Sequence, residues 1–209
     1  MDLPTHPPSR LLVHPGCADC ADAVAWLLSV DRAYQRMGSR TAFGLSWMLD
    51  HFRWGPSRWP AAWCELAGAE TADCGVFADL CATVLETRGV GCERLQIVES
   101  AAPAQTRLWR EQWEAAGAVA GWILSEDWVY HESLLIDTPT GLCHFDPSEM
   151  CEIGTERRVL WVRQAGGEWG SWQSWDSRSD NALDASPGND AGDGEERLVD
   201  IVAAFQADA

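Results

Sequence analysis

The chain has 209 residues, enough for one domain with a full core, or for one domain and a tail. All 15 basic residues are Arg, which excludes Schiff-base chemistry and a phosphate-loop lysine. A net charge of −17 speaks against nucleic acid and anionic membrane surfaces as partners.

Residues 1–16 carry four Pro and read as an extended N-terminal arm. They show no charged-then-apolar leader, and no apolar run approaches the ~20 residues of a membrane span, so the expectation is a cytoplasmic protein with free thiols. Residues 17–37 read as a helix with Ala21, Val24, Leu27, Leu28 and Asp31 near one face and Gly38 as its stop. Residues 41–53 read as a second helix. The stretch from Trp54 to Glu70, punctuated by Gly and Pro, reads as a loop.

Residues 74–88 read as a third helix, with Val76, Leu80 and Val84 on one face and Cys74, Ala78, Cys81 and Leu85 on the next. So wide an apolar surface marks a buried helix, and Gly89 is its natural stop. Residues 92–100 alternate like a strand, and 103–117 read as a further helix or a long surface excursion. Strand patterns then occupy 129–137, 141–147 and 157–163, the first two joined by the turn Thr138-Pro139-Thr140-Gly141. Helices followed by an antiparallel sheet give an α+β class. Residues 176–196 hold seven acids against one Arg and read as a disordered acidic linker, with 197–209 as a short C-terminal helix. The catalytic domain is therefore expected over 17–175.

Three residues carry chemistry. Cys74 opens the buried helix, where the positive helix end and a nearby imidazolium lower a thiol pKa. His131 lies in one strand as proton shuttle, and Asp146 in the next strand can fix its tautomer. His144 shares a strand face with Asp146 and competes for the base role. Asp73 suits the N-cap, with Gly75 easing the turn or leaving room for substrate.

The stretch Ala72-Asp73-Cys74-Gly75-Val76-Phe77-Ala78 resembles the transglutaminase nucleophile motif Gly-Gln-Cys-Trp-Val-Phe-Ala. His131-Glu132-Ser133-Leu134-Leu135-Ile136-Asp137 is similar to that family's His-containing strand, and Gly141-Leu142-Cys143-His144-Phe145-Asp146-Pro147 to its Asp-containing strand. The resemblance covers about residues 40–150 and favours His131 over His144. Asp73 stands where the family has Gln, and Gly75 where it has Trp. It implies a papain-like core, N-terminal helices including the nucleophile helix packed on an antiparallel sheet, and a Cys74–His131–Asp146 triad. It also implies an oxyanion hole from the Cys74 N–H and one upstream side-chain donor. Trp54, Trp59 and Trp63 are candidates, because an indole N–H donates and their loop precedes the nucleophile.

The expected function is thiol-dependent acyl chemistry on a peptide, amide or amine-containing substrate, without a cofactor. The small size suits a hydrolase. The many Trp residues near Cys74 suit acyl transfer to an amine. A non-catalytic binding module of the same fold is the competing class. His14, Cys17 and Cys20 have metal-ligand types, but a fourth ligand is missing nearby unless Cys143 or Cys151 comes across in space, so no metal is expected.

Overall fold

A computed structural model describes residues 3–37, 41–57, 61–153, 157–164 and 167–172. Gly38, Trp59, the acidic segment 176–196 and the 197–209 helix lie outside the described residues. The helices are α1 (Ala18–Arg36), α2 (Met48–His51), α3 (Cys74–Thr87) and α4 (Pro103–Ala115). The strands are β1 (Arg53–Trp54), β2 (Thr71–Ala72), β3 (Cys92–Ser100), β4 (Trp128–Thr138), β5 (Gly141–Asp146), β6 (Cys151–Glu152), β7 (Val159–Gln164) and β8 (Gly170–Ser171). Six of them form an antiparallel sheet in the order β6-β5-β4-β3-β7-β8, while β1 and β2 pair in parallel. The class is α+β.

Alternation along β4 divides the core between two sheet faces. Leu134 and Ile136 pack with Phe145 against α1 and α3, whose apolar faces supply Val24, Leu27, Phe77, Leu80 and Val84. Leu135 faces the other way, with Leu95, Ile97, Val159 and Val162. The single long helix expected over 41–53 does not form. A 3-10 turn at Thr41–Gly44 is followed by turns and then by the four residues of α2. Phe43 sits in the left-handed region at φ 57°, which no continuous α-helix accommodates. That break is anchored from outside. Arg88 Nη1 donates to the Phe43 carbonyl at 2.5 Å, and the same guanidinium pairs with the buried Asp31 on α1. Helix α3 ends as its sequence suggests: Gly89 adopts φ 72°, and the Val90 N–H donates to the Leu85 carbonyl.

The N-terminal arm is docked, not free. The Leu11 N–H donates to Asp79 Oδ2 at 2.8 Å, the Ser9 N–H to Glu132 Oε1 at 2.8 Å, and Gln96 Nε2 to the His6 carbonyl at 3.1 Å. Beneath it, the buried Arg94 of β3 binds Asp79 of α3 and Glu132 of β4, and also reaches the Gly75 carbonyl. A buried charge is stable only with such partners. This network fixes the first turns of α3 against β3 and β4, which sets the position of Cys74. No described helix is long and apolar enough to cross a membrane.

Candidate active site

Asp73 adopts an extended conformation ahead of α3, and its Oδ1 accepts the Val76 N–H at 3.0 Å. This is the expected N-cap. Its own N–H donates to Ser57 Oγ at 2.8 Å, which ties the cap to the preceding loop. Asp73→Ala is expected to cost about 1 kcal/mol of stability, read as a lower midpoint of thermal unfolding. The cap leaves the N–H groups of Cys74 and Gly75 in the first helical turn, where no intrahelical acceptor exists. They are suited to an oxyanion.

Cys74 is partly exposed on a cleft of about 810 Å³. The cleft walls are the arm (Pro7, Ser9), the start of α3, β4 (His131, Glu132) and indoles from Trp54, Trp113 and Trp122. Cys74 and His131 line the same cleft, close enough that each shifts the ionisation of the other. His131 Nε2 lies 3.0 Å from Asp146 Oδ2. The ring N–H is not aligned for a linear hydrogen bond there, so the contact is chiefly ionic. The β4–β5 pairing ends at Leu134–Phe145, and Asp146 then pairs toward β6. The divergence leaves Asp146 beside His131. The structure thus brings Cys74, His131 and Asp146 together. His144 instead packs edge-on against Trp172, ring centroids 4.8 Å apart, and is not part of the cleft lining.

Asp146 is fully buried and heavily held. Its Oδ1 accepts from the Ser148 N–H and Oγ, both at 2.8 Å, and its Oδ2 meets Arg157. Arg157 in turn grips Glu99 at 2.7 Å. Burial alone would raise the Asp146 pKa, but His131 and then Arg157 reverse this and hold it far below the usual carboxylate range. Burial opposes the charge on His131, yet Asp146 and Cys74 outweigh it and raise its pKa well above 6.5. For Cys74 the balance falls the other way from the sequence expectation. Burial, reinforced by Asp73 and Glu132, exceeds the lowering by His131, and the thiol pKa rises above its ordinary 9.0.

Of the three indoles considered as oxyanion donors, Trp54 lines the cleft, Trp63 is buried in the core and away from it, and Trp59 lies outside the described residues. The sequence reading missed Trp122. Its ring packs 5.7 Å from Trp54 and 5.1 Å from Trp113, and its Nε1 is buried without a hydrogen-bond partner among the described residues. It also missed Arg157, Ser148 and Glu99. Only the alternation around Asp146 was available as a signal, and it says nothing about a partner on another strand. His14, Cys17 and Cys20 gather with Cys64, not with Cys143 or Cys151. Comparison with family models, curated proteins and solved structures gives no match for this chain.

Proposed function

We propose that the chain is a transglutaminase-like enzyme with a papain-like core, which hydrolyses an amide or peptide through a thioester on Cys74. The observation that carries the reading is that Cys74 and His131 line one cleft, with His131 Nε2 3.0 Å from the buried Asp146 carboxylate. In the reaction, the neutral form of His131 takes the thiol proton as Cys74 Sγ bonds to the carbonyl carbon. The first-turn N–H groups of α3 receive the developing oxyanion. The carbon–nitrogen bond breaks, and the leaving amine takes the proton from His131. Water then gives a proton to His131, adds to the thioester, and expels the Cys74 sulfur, which recovers its proton. Asp146 holds His131 in place and stabilises its charged form.

The second reading is transfer of the acyl group to an amine, which would replace water in the last half-reaction. The indole wall of Trp54, Trp113 and Trp122 favours it, because a dry channel slows hydrolysis of a thioester. The test is to incubate the protein with activated esters and peptide amides and read intact mass. The expected result is an acyl adduct on the Cys74 peptide that is absent from Cys74→Ala. Added amines separate the two readings: hydrolysis leaves free acid, and transfer leaves the amide. No Cys74-dependent adduct with any donor would leave only a binding module of this fold.

A further inference from the structure

The side chains of His14, Cys17, Cys20 and Cys64 offer four ligand atoms that all lie within 4.8 Å of one another. Zinc with sulfur at ~2.3 Å and nitrogen at ~2.0–2.1 Å requires tetrahedral edges of about 3.8 Å between sulfurs and about 3.5 Å between sulfur and nitrogen. Cys64 Sγ and His14 Nδ1 are 3.5 Å apart. We propose that these four residues form a closed tetrahedral site for one zinc ion, outside the cleft that holds Cys74.

The local structure builds the ligand set. His14-Pro15-Gly16-Cys17 is a tight turn in which the Cys17 N–H donates to the His14 carbonyl at 3.0 Å and Gly16 takes φ 70°. Pro before Gly suits that backbone and turns His14 back over Cys17. Cys17 is the N-cap of α1 and Cys20 lies in its first turn, so both sulfurs project from one helix end. Cys64 comes from the 3-10 helix Trp63–Gly68. The Leu12 N–H donates to the Ala61 carbonyl at 2.8 Å and the Trp63 N–H to the Leu12 carbonyl at 3.0 Å, so the arm and this helix are clasped beside the ligands.

The donor chemistry selects the ion. Three sulfurs and one imidazole suit zinc and disfavour magnesium or calcium. On binding, the three thiols release their protons to solvent and the neutral imidazole supplies a lone pair, leaving a site of net charge −1. Four protein ligands leave no open position, which is the pattern of a structural site. Its role is to staple the start of α1 to the segment that leads into β2 and the nucleophile helix.

The full chain, purified from zinc-supplemented medium, is expected to carry about one zinc per chain. Cys64→Ser and Cys20→Ser are expected to lose it, with Tm lower by about 10 °C, whereas Cys74→Ala, Cys143→Ser and Cys151→Ser keep it. If the ligand variants do not fold, the wild-type chain loaded with cobalt decides. A tetrahedral spectrum with thiolate-to-metal charge transfer is expected. The proposal is overturned by a folded chain that takes up neither ion, by zinc retained in Cys64→Ser, by an octahedral cobalt spectrum, or by a disulfide among Cys17, Cys20 and Cys64 in peptide mapping.

Discussion

His131→Ala is expected to slow acylation of Cys74 by about 10²–10⁴-fold, the usual contribution of a positioned proton shuttle. A second readout reports on the thiol alone. Burial is the largest influence on Cys74 and raises its pKa, and His131 supplies both of the main opposing influences. In the wild-type protein the thiolate fraction therefore grows with pH, and alkylation of Cys74 by iodoacetamide should reach half its limiting rate above pH 9.0. With His131 removed, only burial and the neighbouring carboxylates remain, so the midpoint moves further up and alkylation slows at every pH below it. The chain has eight cysteines, so the rate must be read on the Cys74 peptide by mass spectrometry. Burial also raises Cys92, to about 12, and Cys143, to about 11, which keeps both slow in the same experiment. A Cys74 midpoint well below pH 9.0, or one that His131→Ala leaves in place, contradicts this account of the site.

Asp146→Ala should combine the largest stability loss with a large loss of activity. The carboxylate has no exposed surface and joins four groups: His131, Arg157 and both donors of Ser148. Its removal leaves a buried imidazolium without its counter-charge. The expected cost is about 3–5 kcal/mol in urea unfolding. Arg157 retains Glu99, which limits the damage on that side. Linkage gives the pH window. Asp146 is depressed from 3.8, so its stabilising effect is complete above that pH and is lost as pH falls toward its folded value. His131 is raised from 6.5, so its effect is complete below that pH and is lost as pH rises toward its folded value. The difference between wild type and Asp146→Ala is thus widest between pH 3.8 and 6.5 and narrower on the alkaline side. Unfolding at about pH 5 and about pH 9 compares the two regimes. Equal differences at both would mean that the His131–Asp146 pair contributes no coupling. Asp146→Asn, which keeps the shape and loses the charge, separates packing from electrostatics.

The sequence by itself determined the features that rest on local chemistry. A buried apolar period, an Asp cap and a Gly stop define α3 within a residue or two, because each acts through backbone groups three to five positions away. The hairpin carrying His131 and Asp146 was legible for the same reason: alternation and a four-residue turn specify β4 and β5. The helix expected over 41–53 failed because its fate depends on Arg88, which lies far along the chain and fixes the Phe43 carbonyl. Strand alternation by itself left two imidazoles as partners for Cys74, and the resemblance favoured His131. The tertiary structure puts His131 in the cleft with Cys74 and packs His144 against Trp172. It also decided the direction of the Cys74 pKa, since desolvation depends on the three-dimensional surroundings and outweighs the helix-end effect that the sequence suggests. Cys64 shows the limit most clearly. Its neighbours in sequence contain no second Cys or His, and only the clasp between Leu12 and residues 61–63 brings it to His14, Cys17 and Cys20.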